Sequence, residues 1–543
     1  MIKMKEQAAI QASMADIQQK RGILITGLLV AMLFGALDGT IVGTALPRIV
    51  GELGGLSMMA WLTTAYMLTS TTIVPIAGKL ADLFGRKSIY IAGLAIFIIG
   101  SALCGMANTM TQLIIFRAIQ GIGGGIMMPM AMIVIGDLFT GAERAKWQGV
   151  FGGVFGLASI LGPQAGGWIV DSLNWRWVFY INLPVGILAI VLISIGLHNR
   201  RMAERVKLDL VGMFTMVVAV VSLLLALTFG GDKYDWLSWQ IISLLASSVV
   251  FFSLFVFVER KAEEPIMPIH LLKNKTFVVL NSVGFFMSVG MFGAIMFVPL
   301  FMQGIIGMSP SESGTMMFPM MFALIIASMI GGRLVQKIGV RPQVIGGMVL
   351  VALGFFLLST MDVHTNKWTA MSFMATLGFG LGFVNPVITL ALQEVFPKSQ
   401  LGIVTSSSQF FRQIGGTFGA TLLGAIMNHR SKDLLEAKFL PLLEQLPPKA
   451  HAMMDSFQQL VESNPQSVYS VILNPDTLKT IPHQLQQMFV PVLKQTLVDA
   501  LSDVFLYGLI FVGIGFIFAM FIGRITISNR TNKVNEMETR GAS

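Results

Sequence analysis

The sequence predicts an all-α polytopic membrane protein of fourteen transmembrane helices, arranged as two six-helix bundles and an inserted helix pair. Three observations predict it: an apolar composition, apolar runs of membrane-spanning length, and an internal repeat. Hydrophobic residues make up 54% of the 543 residues and charged residues only 12%, and the mean hydropathy is +0.75. This composition is typical of a polytopic membrane protein and excludes a water-soluble globular protein.

Apolar runs of about 20 residues, each long enough for a ~30 Å hydrocarbon core, recur along the chain. The first follows a charged stretch and ends without a small-residue cleavage site, so we expect it to be retained. The fourteen predicted spans are 24–46, 58–78, 88–107, 111–136, 147–170, 176–197, 210–229, 238–258, 276–301, 312–332, 343–361, 368–392, 402–427 and 502–523.

The basic residues fall on one side of these spans. The amino-terminal tail, every second loop and the carboxy-terminal tail carry 25 of the 37 Lys and Arg residues. The positive-inside rule then places both termini on the cytoplasmic side of the membrane, which we expect to be the plasma membrane. A pI near 9.6 follows from basic loops that face anionic membrane lipids, and no basic–aromatic module suggests a nucleic-acid partner. A single cysteine, Cys104, excludes an intrachain disulfide.

A duplicated unit is visible in the spacing of glycines, prolines and charges. The pattern G-x-G-x-G-x3-P-x7-[DE]-x-F begins at Gly121 and again at Gly378, and G-[KR]-L-x-[DQ]-x2-G-x-[KR] begins at Gly78 and again at Gly332. Two separate segments that agree this closely indicate a duplicated six-helix unit. The predicted parts are an amino-terminal bundle at 1–200, an inserted pair at 201–275, a carboxy-terminal bundle at 276–523 and a cytoplasmic tail at 524–543.

Residues 428–501 form one long polar segment between spans thirteen and fourteen and are extracellular by parity. The stretches 432–446 and 485–497 have amphipathic helical spacing, which predicts a helical hairpin near the outer mouth. A loosely ordered loop without a role in transport is the alternative.

Asp38 lies well inside the first span, where an ionised carboxylate costs at least ~2.5–3.5 kcal/mol and needs a partner, water or a proton. Counted from the outer ends of spans one and four at ~1.5 Å per residue, Asp38 lies ~12 Å deep and Arg117 ~9 Å deep. We therefore expect the two side chains to pair and to couple transport to protons. A carboxylate in a water-filled crevice and a purely structural ion pair are the alternatives.

The chain resembles the fourteen-span drug:proton antiporters of the major facilitator superfamily over nearly its whole length. One departure is Gly43, where the family usually has Asn, so a polar contact to Asp38 stays open. The motifs that carry the resemblance are L-D-G-T-I-V at 37–42, W-x3-A-Y from Trp61, G-x3-D-x2-G-R-K from Gly78, R-x2-Q-G from Arg117, G-P-x2-G-G from Gly162 and W-R-W-x-F-x-I-N-x-P-x-G from Trp175.

This resemblance implies proton-coupled multidrug efflux of amphipathic or lipophilic cationic compounds by alternating access. It implies an inner gate formed by charged loop residues; the alternative is that these charges only fix the membrane topology. It also implies an antiporter motif in span five; the alternative is that its glycines only allow close helix packing. The gating residues are Gly78, Asp82, Gly85, Arg86, Lys87 and Asp137, and the motif residues are Gly152, Gly156, Gly162, Pro163, Gly166 and Gly167.

We expect the substrate cavity to lie between the two halves. Proton handling is expected in the amino-terminal half, because the carboxy-terminal half has Met374 at the repeat position that corresponds to Arg117. We predict no enzymatic activity, cofactor or metal, and no Walker motif indicates ATP as the energy source. The expected partners are small amphipathic molecules, protons and membrane lipids; the sequence does not specify an accessory subunit. An exporter of an endogenous lipid or metabolite and a non-transporting receptor or scaffold are the alternatives. The candidate cavity residues are Gln120, Tyr66, Met291, Asn385 and Arg412.

Overall fold

The computed structural model describes residues 2–54, 58–139, 141–197, 208–231, 233–308, 312–313, 317–443, 457–461, 465–469, 472 and 483–525. Fourteen long helices in this part of the chain follow the order of the predicted spans. They are α1 (Ile2–Leu53), α2 (Met59–Phe84), α3 (Arg86–Gly105), α4 (Met110–Leu138), α5 (Gly141–Ser172), α6 (Asn182–Gly196), α7 (Leu210–Phe229), α8 (Trp239–Glu259), α9 (Lys275–Phe301), α10 (Phe318–Ile338), α11 (Val340–Ser359), α12 (Lys367–Val395), α13 (Leu401–Lys438) and α14 (His483–Met520).

Eleven helices of the described residues are long and apolar enough to cross a membrane, so the chain is a multi-pass membrane protein. The helices α2, α5 and α13 are not among the eleven, although they contain 26, 32 and 38 residues. All three are rich in Thr, Ser or Gly and lie where the two halves of the chain meet. Such residues pack against protein rather than lipid, and the count of fourteen spans stays a prediction.

The helix packing repeats itself in the two halves. In the first half α3 packs on α4, α2 on α4, α1 on α5, and α1 and α3 on α6. In the second half α11 packs on α12, α10 on α12, α9 on α13, and α9 and α11 on α14. A shift of eight helices converts one set into the other, which is the packing that a duplicated six-helix unit requires. The domain boundaries stay predictions, and the one at residues 200–201 lies outside the described residues.

The halves contact each other mainly through two helix pairs, α2 with α13 and α5 with α10, and α4 with α13 and α5 with α12 make smaller contacts. The extra helices α7 and α8 pack together, and α7 lies against α2 and α13. A salt bridge of 2.6 Å between Lys79 of α2 and Glu264 joins the segment after α8 to the first half. A separate apolar cluster lies where α2, α7 and α13 meet, and it includes Leu68, Val220 and Phe410.

Helices extend into the polar segment at 428–501 from both of its ends. The helix α13 continues through Lys438, and α14 already begins at His483. Most of the two predicted amphipathic helices are therefore extensions of spanning helices rather than separate elements. Polarity marks where the chain leaves the apolar region, whereas the helix continues as long as its hydrogen bonds and packing persist.

Contacts between the two extensions explain why they stay helical. Arg430 of α13 pairs with Asp503 of α14 at 2.7 Å, and Lys438 pairs with Asp499 at the same distance. In the same polar segment the rings of Phe439, Phe457 and Phe489 pack against one another.

Candidate functional site

The buried carboxylate of Asp38 is the centre of a polar network in the first half. The residue is 1% exposed. Arg117 donates from Nη1 to Oδ2 at 2.7 Å, whereas Gln120 and Asn182 each donate to Oδ1 at 2.8 Å. The pairing of Asp38 with Arg117 expected from membrane depth is thus present. The carboxylate accepts three hydrogen bonds, two of them from neutral amides.

Helix geometry positions the donors. Arg117 and Gln120 are three residues apart on α4 and therefore share one face, where Arg117 also donates to Oε1 of Gln120 at 2.6 Å. The next layer is Ser101 of α3, which accepts from Gln120 at 2.7 Å. This contact depends on Gly100, because a Cβ there would lie 2.6 Å from the Cα of Gln120.

Aromatic rings enclose the cation of this pair. The guanidinium carbon of Arg117 lies 4.3 Å from the ring centroid of Tyr66 and 5.9 Å from that of Phe179. The electron-rich faces of aromatic rings attract a cation and exclude water at the same time. Arg117 Nε also donates to the carbonyl oxygen of Leu62 at 3.4 Å.

Two residues of this network were not among the predicted site residues. Asn182 stands in the motif that begins at Trp175, so the sequence contained a signal for it; no signal pointed to Ser101. Gly43 is exposed, and a side chain there would meet no atom within 4 Å. The side-chain amides that contact Asp38 are those of Gln120 and Asn182.

The predicted cavity residues do not form one group. Gln120 and Tyr66 belong to the Asp38 network, and Gln120 is fully buried. Asn385 and Arg412 lie together in the second half, where Arg412 Nη1 donates to Oδ1 of Asn385 at 3.2 Å. Met291 is partly buried against the apolar core of that half.

Asp82, at the end of α2, caps a helix of the opposite half. Its Oδ1 accepts from the backbone N–H of Gly402 at 3.1 Å and its Oδ2 from that of Ile403 at 2.9 Å. A carboxylate is stabilised at a helix amino terminus, where unpaired N–H groups point outward. Arg86 pairs with Asp82 at 2.5 Å and with Asp137 at 3.2 Å. Three of the predicted gating residues therefore form one connected ion-pair cluster.

The remaining gating residues have different surroundings. A Cβ on Gly78 would lie 2.6 Å from the carbonyl oxygen of Gly402, so glycine permits the close crossing of α2 and α13. Gly85 has a φ of +90° and turns the chain from α2 into α3. Lys87 donates to the carbonyl oxygen of Ser194 at 2.7 Å, which ties it to α6 within its own half.

The glycines of α5 serve two different contacts. Gly152 and Gly156 face α10 of the opposite half, and a Cβ on Gly156 would lie 2.4 Å from Met321. Gly162 and Gly166 face α1, where a Cβ would collide with Thr40 and Thr44 respectively. Of the other two predicted motif residues, Gly167 has open space around its Cα, and the side chain of Pro163 lies outside the described residues.

A second polar contact joins the halves near the ends of α4 and α12. Gln148 of α5 donates to Oε1 of Gln393 at 3.2 Å, and Gln393 in turn donates to Thr405 of α13 at 3.0 Å. All three side chains are buried. Like the Asp82 cap, this contact lies at the end of the bundle that carries the Lys- and Arg-rich loops.

Comparisons with known proteins agree with this architecture. A family model for the Major Facilitator Superfamily matches residues 28–420. The chain is 60% identical over 525 residues to multidrug transporter protein MdtP of Bacillus subtilis (strain 168), with 97% of each chain covered. It is 36% identical over 521 residues to multidrug resistance protein 3 of the same strain, which covers 95% of this chain and 99% of that one.

A solved structure shows the fold alone. The proton:xylose symporter XylE aligns with a TM-score of 0.55 at 13% identity, covering 93% of this chain and 97% of its own. The sequence matches, the repeated helix packing and this structural likeness lead to one conclusion: the chain belongs to the major facilitator superfamily.

Proposed function

We propose that this protein is a proton-coupled multidrug efflux antiporter that exports amphipathic or lipophilic cationic compounds by alternating access. The names of two relatives, a multidrug transporter and a multidrug resistance protein, support multidrug efflux. One observation supports the proton coupling: a carboxylate, Asp38, is fully buried in a membrane helix and paired with Arg117 at 2.7 Å.

The pair acts as a switch because its net charge depends on one proton. With Asp38 ionised, the pair is neutral. Protonation leaves the guanidinium of Arg117 buried without its counter-charge, which costs about 3–5 kcal/mol. Such a difference shifts a two-state equilibrium by roughly two to four powers of ten, so the protonated protein favours a conformation in which Arg117 finds water or another partner.

The change at Asp38 reaches the other half through α5. Thr40, half a turn from Asp38, donates to the carbonyl oxygen of Ala158 at 3.1 Å. The helix α5, which contains Ala158, packs on α10 through Gly152 and Gly156. Movement of α1 against α5 therefore changes the contact between the halves without any covalent chemistry on the substrate.

The contacts between the halves support an outward-facing state in this cycle. The Asp82 cap and the Gln148–Gln393 hydrogen bond both lie at the end with the basic loops. That end is cytoplasmic if the positive-inside rule holds. In the proposed orientation both termini are cytoplasmic and the protein exports across the plasma membrane.

A dye-efflux assay tests the function. Cells that express wild-type protein should extrude a lipophilic cationic dye, and a protonophore should abolish this efflux. Asp38→Asn should retain the fold and dye binding but lose efflux driven by a pH gradient, because the amide mimics the protonated state permanently.

The matched control is Asp362→Asn, the same substitution at an exposed carboxylate in the turn between α11 and α12. It should extrude dye at the wild-type rate. Dye efflux by Asp38→Asn at the wild-type rate would exclude this carboxylate as the coupling site. Comparing the export of a panel of dyes with the export of native lipids separates a drug exporter from a lipid exporter. Release of protons when a compound is added to the reconstituted protein separates a transporter from a scaffold.

A further inference from the structure

We propose that a second recognition site, centred on Arg412 in the second half, binds the carboxylate of acidic amphipathic substrates. This inference rests on the proposed export function and extends its range from cations to acids. It depends on a partly buried cation that has neutral partners and unused donors.

Arg412 lies deep in the membrane region. It follows Leu401, the first residue of α13, by eleven positions, which at ~1.5 Å per residue places it about 17 Å along the helix. Among the described residues, its hydrogen-bond acceptors are Oδ1 of Asn385 at 3.2 Å and Oε1 of Gln409 at 2.5 Å. Both acceptors are neutral, and no carboxylate of the described residues forms an ion pair with Arg412. By contrast, Arg117 in the first half has Asp38.

Donors at this site are left over. Arg412 Nε and Gln409 Nε2 are buried and have no hydrogen-bond partner in the described part of the chain. Nearly all buried polar groups in folded proteins are paired, so two adjacent orphan donors beside an uncompensated charge require an explanation. A carboxylate supplies what is missing, namely a negative charge and two acceptor oxygens, and guanidinium groups bind carboxylates in this way.

The surroundings suit the apolar part of an amphipathic molecule. The site lies between α9, α12 and α13, and a Cβ on Gly284 of α9 would lie only 3.3 Å from Cγ of Arg412. Aromatic pairs between α9 and α13 flank the position on both sides along the helices. They are Phe277 with Phe411 at 6.5 Å and Phe285 with Phe418 at 6.1 Å between ring centroids. A few convergent polar groups within apolar walls are the usual composition of a small-molecule site.

The site also lies on a helix that changes its contacts when the halves separate. Phe410 and Ile414 of α13, on either side of Arg412, belong to the apolar cluster shared with α2 and α7. Separation of α2 from α13 therefore opens the face next to Arg412. In this arrangement Asp38 of the first half serves the proton and Arg412 of the second half serves a substrate anion.

The test uses the full-length protein in proteoliposomes with an imposed pH gradient. The probes are dansylaminoundecanoic acid, its primary amide and a monovalent lipophilic cation. Arg412→Gln should raise the half-saturating concentration for the acid about tenfold or more, as expected for loss of a charged hydrogen bond. The amide should change by less than about twofold, within the uncertainty of such comparisons. Arg412→Lys should recover part of the affinity for the acid, because it keeps the charge but loses the planar donor geometry.

The control is Arg430→Gln, the same substitution on the same helix at an arginine that pairs with Asp503. It should leave transport of the acid unchanged. Equal losses for acid and amide in Arg412→Gln, or no loss for either, would overturn the inference. Replacing chloride with methanesulfonate, an anion without a carboxylate, adds one arm: amide transport that depends on chloride only when Arg412 is present would mean that an inorganic anion occupies the site, which also overturns the inference.

Failure of the inference can be distinguished from failure of the proposed function. If wild-type protein exports the cation and the amide but not the acid, the inference is wrong and the exporter stands. If a pH gradient moves none of the three probes, proton-coupled export is itself wrong.

Discussion

A single methyl group at Gly402 should open the contact between the halves at the end of the bundle that carries the Lys- and Arg-rich loops. In the structure a Cβ at Gly402 would lie 2.4 Å from the carbonyl oxygen of Gly78 and 2.5 Å from Oδ1 of Asp82. The first atom is backbone, and the second belongs to a carboxylate that Arg86 and the Gly402 N–H hold in place, so α2 must move away from α13. Overpacking of this kind costs about 1–3 kcal/mol, and loss of the Asp82 cap adds about 0.5–2 kcal/mol. The sum shifts the equilibrium away from this state by roughly ten- to several-thousand-fold.

Spin labels can measure this shift. Cysteines at Ser88 of α3 and Arg341 of α11, both exposed, carry the labels in a variant with Cys104 replaced by Ser, and pulsed electron paramagnetic resonance gives the distance distribution. Gly402→Ala should move the distribution to longer distances. Gly424→Ala on the same helix, where a Cβ would meet no atom within 4 Å, should leave it unchanged. An unchanged distribution in Gly402→Ala would refute the proposed role of this crossing.

Three further predictions concern topology, substrates and pH. Single cysteines at Ser456 and Ala203, both outside the described residues, should react with an impermeant maleimide in intact cells at the first position only; the reverse result would invert the orientation. Monovalent quaternary ammonium compounds should be exported better than dications of similar hydrophobicity, because a second uncompensated charge is costly to desolvate; equal resistance to both would contradict this. Hydrogen bonds, the strongest of them from Arg176, hold the pKa of the Glu52 carboxyl below its ordinary value. The ionised Glu52 therefore stabilises the fold at pH values above the ordinary carboxyl pKa. This stabilisation is lost as the pH falls through the lowered pKa. The difference in thermal stability between wild type and Glu52→Gln should therefore shrink on acidification, and a constant difference would exclude this linkage.

Features that depend on distance along a helix could be predicted from the sequence. The pairing of Asp38 with Arg117 followed from the fixed rise per residue and two well-marked span ends. The repeat predicted equivalent helices, and the packing repeats accordingly. The close approaches at Gly78 and Gly156 agree with the roles of small residues in membrane helices.

Features that depend on helix rotation and on contacts between distant helices could not be predicted. Ser101 and Gln393 are ordinary polar residues in sequence, and only the packed structure brings them to Gln120 and Thr405. The continuity of α13 and α14 into the polar segment was also not predictable, because hydropathy reports the membrane boundary rather than the helix boundary. Arg412 was predicted as a cavity residue, but its neutral partners became visible only in the structure.

The separation of a carboxylate, Asp38, from a guanidinium in the other half, Arg412, that has no ion-pair partner among the described residues has a consequence for energetics. For any fixed number of protons exchanged, export of a monoanion moves two more positive charges inward than export of a monocation. An electrical potential, negative inside, contributes ~2.3 kcal/mol per charge per 100 mV, so the anion gains about 5 kcal/mol per 100 mV relative to the cation. Acids and cations leaving through the same protein should therefore respond differently to a potassium–valinomycin voltage, and the acid should reach the steeper gradient.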